Sequence, residues 1–108
     1  MKITKATTTI ITFMVLSELK LTGKKKTALD NLVSNQELLM NEITVNCIIK
    51  DNLPVITIMS NLLNGINSII KKYVGNLTNA ELEQLIKLFD VNFNKQLYIV
   101  LDDTNIEM

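Results

Sequence analysis

Residues 52–73 read NLPVITIMSNLLNGINSIIKKY, and the pattern within this stretch decides the fold. Its apolar residues recur at intervals of three and four, which is the period of an amphipathic α-helix. Asn52 is placed to cap such a helix, and Pro54 suits its first turn. The apolar stripe consists of Val55, Met59, Leu62, Ile66, Ile69 and Tyr73. The stretch is therefore predicted to form a helix with one face in the core.

The opposite face of this helix is polar but carries no charge. Residues 52–70 contain no Lys, Asp or Glu, which is unusual for a helix face that lies in water. Charged residues are depleted at the centres of protein–protein interfaces, where amide groups can pair. We therefore expect this face to contact a second chain through Asn61, Asn64, Asn67 and Ser68.

Two other interpretations of the same stretch are less consistent with its pattern. Asn64-Gly65 is a strong β-hairpin signal, but the apolar residues beside it occur as adjacent pairs and do not alternate, which favours the helix. The stretch is also long enough to cross a bilayer. Its asparagines, its glycine and Pro54 make insertion costly, so we disfavour a membrane span.

The chain before this helix is predicted to form two more helices. Residues 5–21 are rich in Thr and Ile, which favour a strand, but they end in good helix formers before Gly23, a typical helix C-cap. We interpret them as a helix and keep the strand as the alternative. A second helix is expected from Thr27 to about Asp51, where an N-cap signal precedes an apolar stripe. That stripe consists of Leu29, Leu32, Val33, Leu39, Met40, Ile43 and Cys47.

The chain after Gly75 begins with the clearest helix signal in the sequence. Thr78 and Glu81 have the spacing of a capping box. The inward face of this helix is expected to consist of Leu82, Leu85, Ile86 and Phe89. Residues 96–101 favour a short strand, and residues 102–108 are expected to form a mobile tail.

Together these elements predict a mainly α protein with a single domain over residues 1–108. The architecture is a small bundle of three to four helices, to which a short C-terminal strand can be added. The alternative is an α+β fold in which strands near the two ends of the chain pair with each other.

Composition excludes several classes of function. The chain has 108 residues, of which 47% are apolar, and only three Gly and one Pro, so it can fold around a core. It has no His and a single cysteine, Cys47, which removes the usual catalytic bases, zinc ligands and disulfides. We expect a non-enzymatic protein without cofactor, metal or small-molecule substrate, and we interpret Cys47 as a buried apolar residue.

A calcium site and a nucleic-acid site are both disfavoured. Asp90, Asn92 and Asn94 are spaced like the first ligands of a calcium loop, but Lys95 and Leu101 occupy the positions that require Gly and Glu. All basic residues are Lys, and the net charge is zero. The chain therefore lacks both the bidentate Arg contacts and the overall attraction that nucleic-acid recognition uses.

Charge is unevenly distributed along the chain. Residues 1–26 carry six Lys and one Glu, whereas residues 27–108 carry five Lys and ten acidic residues. The favoured interpretation is that these charges are scattered on the surface, solvated and of little energetic effect. The alternative is that the basic end meets the acidic remainder of its own chain or of a neighbouring copy. Further candidate interaction residues are therefore Lys24, Lys25 and Lys26. Phe13, in the apolar first segment, is another candidate.

These features favour a protein that works by protein–protein contact and self-associates. Heavy use of Lys, Asn and Ile is typical of AT-rich coding sequence and suggests a small bacteriophage or viral structural or assembly component, or an adaptor, in the host cytoplasm or the virion. The alternative function is a stoichiometric inhibitor of a host enzyme or defence system. A Lys-dependent nucleic-acid accessory protein is the third hypothesis.

Overall fold

A computed structural model of the chain describes residues 4–47 and 53–106, which form five α-helices and no strand. The helices are α1 (Lys5–Glu18), α2 (Gly23–Ser34), α3 (Gln36–Asn46), α4 (Val55–Tyr73) and α5 (Asn79–Ile106). The mainly α prediction is confirmed, with five helices where three to four were expected. The α+β alternative is wrong.

α1 forms in spite of its β-branched composition because its threonines bond within the helix. The Thr4 hydroxyl accepts from the Thr7 N–H at 3.2 Å and caps the first turn. The Thr8 and Thr12 hydroxyls, both buried, donate to the carbonyl oxygens four residues earlier at 3.1 and 2.9 Å. Because these hydroxyls find hydrogen-bond acceptors inside the helix, the threonine side chains can be buried in it. Tertiary packing then decides between helix and strand.

The single helix predicted over residues 27–51 is wrong in its extent and its continuity. The chain bends at Asn35 and forms α2 and α3 in its place. α2 begins at Gly23, whose φ of +60° is the left-handed conformation that glycine adopts readily. Lys24, Lys25 and Lys26 therefore lie in the first turn of α2. The part of the prediction that falls on residues 48–51 lies outside the described residues.

The strand predicted over residues 96–101 is also wrong, because α5 continues through this segment. No Gly or Pro follows Gly75 to end the helix. Phe89, Phe93 and Leu97 recur every four residues and pack into or against the core, so tertiary contact prevails over local β-propensity. Residues 102–106, expected in the tail, belong to α5, and residues 107–108 lie outside the described residues.

All five helices contribute to the core, and α5 runs antiparallel to α1. Three contacts between the α1 segment and α5 run in opposite order along the chain: Lys20 with Gln84, Glu18 with Asn92, and Met14 with Gln96. α4 confirms the predicted helix and excludes the hairpin. Its buried residues are Ile58, Leu62, Gly65, Ile66, Ile69 and Ile70.

The predicted inward face of α5 is correct for two residues of four. Leu85 and Phe89 are fully buried. Leu82 and Ile86 are more than a third exposed, because α5 rests on the bundle along Leu85, Phe89 and Phe93. Leu82 lies in the first turn, at the end of that contact, and Ile86 lies at its edge.

Candidate interaction surface

α4 presents to solvent the uncharged face that the sequence indicated. We call Ile56, Ser60, Asn61, Asn64, Asn67 and Ser68 the outer face of α4. All are exposed except Asn67, which is half-buried. Ile56 at the start of the helix is 77% exposed, which is high for an isoleucine. The predicted amide-bearing face therefore exists on the surface of the single chain.

The outer face of α4 differs from the outward faces of its neighbours in charge. Exposed charged residues of the other helices include Lys24, Lys26 and Asp30 in α2, Glu37 in α3, and Glu83, Lys87 and Asp90 in α5. On α4, charge begins only at Lys71, in the last turn. Between Val55 and Ile70 the face combines amides, hydroxyls and one exposed aliphatic side chain.

The side-chain amides of this face make no hydrogen bond to the part of the chain that the structure describes. Among the described residues, the side chains of Asn61, Asn64 and Asn67 have no hydrogen-bond partner. Each amide offers two N–H donors and one carbonyl acceptor. The face can therefore both donate to and accept from another surface.

The other predicted interaction residues do not join this face. Phe13 lies on α1, where it is half-buried and packs against the core. The Lys25 ammonium lies 2.7 Å from Glu81, and the Lys26 ammonium lies 3.0 Å from Asp30. Lys24 is exposed. Two of the three lysines thus pair with acidic groups of the same chain, and the Lys26–Asp30 pair is exposed to solvent.

A polar cluster that the sequence did not reveal joins α3 to α4. The nearly buried carboxylate of Glu42 accepts from Lys72 Nζ at 2.9 Å, from the Tyr73 hydroxyl at 2.7 Å and from Asn46 Nδ2 at 2.9 Å. The hydrogen bonds from Lys72 and then Tyr73 hold the pKa of Glu42 below its ordinary value. The same carboxylate raises the pKa values of Lys72 and Tyr73.

These shifts show what the cluster can do chemically. Each group is held more firmly in its neutral-pH form, with Glu42 ionised and both Lys72 and Tyr73 protonated. A general acid or base works best with a pKa near the operating pH, and these shifts move away from it. The cluster therefore serves as a polar tie between two helices. Sequence spacing reveals only the Glu42–Asn46 pair, because Lys72 and Tyr73 are distant along the chain.

An exposed apolar area lies between α1 and α3, apart from the outer face of α4. Ala6, Thr9, Ile10 and Met40 line a shallow, open depression. Ile10 is 45% exposed and Met40 is 38% exposed. Met40 belongs to the stripe predicted for the core, so its exposure corrects that assignment. Met40 follows the buried Leu39 directly and lies at the edge of the face that α3 buries through Leu39 and Ile43.

Cys47 lies buried at the end of α3, as expected for an apolar residue. Burial raises the pKa of its thiol to about 11, which opposes formation of the nucleophilic thiolate. Within residues 4–47 and 53–106, no three Cys, Asp or Glu side chains come together in a way that could hold a metal ion. Asp90, Asn92 and Asn94 lie inside α5 and form no loop.

None of the helices in the described part of the chain combines the length and the apolar character needed to cross a membrane. Comparison with known proteins finds no matching family model, no similar curated protein and no similar solved structure.

Proposed function

We propose that this chain is a non-enzymatic protein that works by protein–protein contact and self-associates through the outer face of α4. The observation that carries the proposal is an exposed, charge-free helix face whose asparagine amides have no hydrogen-bond partner within residues 4–47 and 53–106. Ile56 adds an apolar anchor at one end of the face.

A second copy of the chain is the partner that such a face suits best. In a twofold contact the same patch meets itself, so every side chain of the patch must tolerate the other side chains of that patch. Like charges opposite each other would oppose that contact, whereas an amide can donate to and accept from another amide. The outer face of α4 meets this requirement over residues 55–70.

The setting we propose is a small bacteriophage or viral structural or assembly component, or an adaptor, located in the host cytoplasm or in the virion. The observation behind this setting is the composition, in which Lys, Asn and Ile are abundant and Arg is absent. A protein of this kind acts through stoichiometric contact, which agrees with a surface whose distinctive feature is an uncharged helix face.

Sedimentation velocity at micromolar concentrations tests the proposal. Wild type is expected to form a dimer or larger species. Asn64→Lys places a charge in the middle of the face and is expected to give a monomer with unchanged helix content. The matched control is Asn94→Lys, the same change at an exposed position of α5, which is expected to associate like wild type. A wild-type protein that remains monomeric without an added partner, or an Asn64→Lys variant that still associates, contradicts the proposal.

A further inference from the structure

The bend between α2 and α3 depends on one residue. Asn35 has φ −95° and ψ 81°, outside the helical region, and it both ends α2 and caps α3. Its N–H still donates to the carbonyl oxygens of Asn31 and Leu32, and its own carbonyl oxygen accepts from the Leu39 N–H. Neither Gly nor Pro lies between residues 24 and 53. Helical bonding therefore extends up to Asn35 from both sides.

The apolar pattern continues across this bend without a change of phase. Leu29 and Leu32 in α2 and Leu39 and Ile43 in α3 are buried, at spacings that fit one continuous helix. One local interaction that favours the bend is the Asn35 side chain, whose Oδ1 accepts from the Leu38 N–H at 3.2 Å. Asn is a good N-cap and a poor residue for a helix interior.

We propose that Asn35 is a hinge at which α2 and α3 can join into one helix, allowing two copies of the chain to exchange their α1–α2 segments. The joined helix would run from Gly23 to Asn46 and be about 36 Å long. Straightening carries α1 and α2 away from the rest of their own chain and exposes the apolar face that they covered. A second copy in the same state supplies an identical segment to cover it.

The polar contacts between the exchanged segment and α5 lie away from the bend. Four polar contacts join the segment to α5: Met14 with Gln96, Glu18 with Asn92, the Lys20 backbone with the Gln84 amide, and Lys25 with Glu81. Each can form between copies with the geometry that it has within one chain. The exchanged dimer thus differs from two monomers chiefly at Asn35.

This hinge does not depend on the outer face of α4. Exchange uses contacts that are buried in the monomer, whereas the proposed self-association uses a surface that is exposed. Variants of Asn35 and of Asn64 therefore test the two proposals separately.

The first measurement is the oligomeric state after refolding at high protein concentration, in a background that carries Asn64→Lys to silence the α4 face. Asn35→Ala removes the cap and inserts a strong helix former. It is expected to shift the bent–straight equilibrium about tenfold per chain, and thus the dimerisation constant about a hundredfold. Asn35→Gln gives a second variant of the same kind. Asn35→Asp retains a cap and is expected to stay monomeric, as is Thr78→Ala, which loses a cap elsewhere.

The second measurement locates the exchange. Chains with Asn35→Ala and Lys25→Cys are refolded together with chains that carry Asn35→Ala and Glu81→Cys, and a short thiol-reactive linker is added. Exchange is expected to give a covalent pair of chains, because Lys25 and Glu81 are adjacent across the hinge. The proposal is overturned if both Asn35→Ala and Asn35→Gln remain monomeric, or if their dimers do not link.

Discussion

Gly65 in α4 packs against Cys47 so closely that a methyl group at position 65 would lie 2.8 Å from the cysteine sulfur. The same methyl would lie 2.5 Å from the backbone carbonyl oxygen of Asn46. Carbon atoms do not approach their neighbours at such distances without a shift of the structure. Gly65 therefore allows α3 and α4 to cross at close range, which explains a glycine in the middle of a long helix.

Gly65→Ala is expected to lower the free energy of unfolding by about 1–2 kcal/mol. Overpacking a core contact costs about 1–3 kcal/mol, and the better helix propensity of Ala returns about 1 kcal/mol at most. Urea denaturation followed by circular dichroism measures the change. Asn41→Ala, at an exposed helical position of α3, is the control and is expected to be neutral or slightly stabilising. Equal or higher stability of Gly65→Ala contradicts the close crossing.

Sequence reasoning located α4 and the start of α5 because their signals are local. The period of the apolar residues defines α4, and the capping box of Thr78 and Glu81 is present as predicted. In the sequence, Asn64-Gly65 is a β-hairpin signal and opposes the helix prediction. The local sequence does not show that Gly65 packs against the end of α3, since that contact joins parts of the chain that are distant in sequence.

The elements that sequence reasoning missed are decided by tertiary contacts. The bend at Asn35 interrupts an apolar stripe that fits a continuous helix, and the second half of α5 forms from residues with high β-propensity. The Glu42 cluster likewise joins α3 to the last turn of α4. By contrast, the outer face of α4 was predictable, because absence of charge can be read directly from the sequence.

Thr78→Ala is expected to lower the free energy of unfolding by about 1 kcal/mol, the usual effect of losing a helix cap. The Thr78 hydroxyl accepts from the Glu81 N–H at 3.2 Å, and the Glu81 carboxylate accepts from the Thr78 N–H at 2.8 Å. Thr44→Ala is the matched control, because Thr44 lies exposed inside α3 and Ala is the better helix former there. Thermal or urea unfolding distinguishes the two, and equal effects would contradict a specific role of the cap.

Glu42→Gln is expected to make the protein less stable at neutral pH, by an amount that shrinks in acid. The Lys72 and Tyr73 hydrogen bonds lower the pKa of Glu42 from its ordinary value of 4.5. A carboxylate with a lowered folded-state pKa contributes stability above its unfolded value and loses it as the pH falls through the folded value. The stability difference between wild type and Glu42→Gln should therefore be largest above pH 4.5 and decrease as the pH falls below it.

Urea denaturation of both proteins over a series of pH values measures this difference. The pKa of Glu81 is lowered too, chiefly by Lys25, so both proteins lose stability in acid, and that shared loss cancels in the comparison. Asp90→Asn changes an exposed carboxylate of α5 and, as a surface substitution, is expected to alter the free energy of unfolding at neutral pH by less than about 0.5 kcal/mol. If the stability difference between wild type and Glu42→Gln stays constant far below pH 4.5, the result contradicts an ionised Glu42 in the polar cluster.

Cys47 is expected to resist alkylation in the folded protein at pH 8. Burial raises the pKa of its thiol to about 11 from an ordinary value of 9.0, which lowers the thiolate fraction about a hundredfold, and the reagent must also reach a buried sulfur. Mass spectrometry after timed exposure to iodoacetamide measures the rate. Ser17→Cys adds a thiol at an exposed position of α1 as the internal reference. Equal rates for the two thiols contradict the burial of Cys47.

Asn92→Leu is expected to stabilise the protein by about 1 kcal/mol, because a buried polar atom without a partner costs about 1–3 kcal/mol. Asn92 is fully buried between α1 and α5. Its Nδ2 donates to the Leu88 carbonyl oxygen at 2.9 Å and to Glu18 at 3.4 Å, while its Oδ1 has no partner among the described residues. Leu is close to Asn in shape and removes the unpaired oxygen.

Asn94→Leu, at an exposed position of the same helix, is the control and should change the free energy of unfolding by less than about 0.5 kcal/mol. Because a buried polar group can fix how two helices align, the Asn92→Leu protein should also be examined for association and for loss of a sharp unfolding transition. Higher stability with a less cooperative transition assigns Asn92 to the alignment of α1 on α5. Lower stability of Asn92→Leu contradicts the prediction.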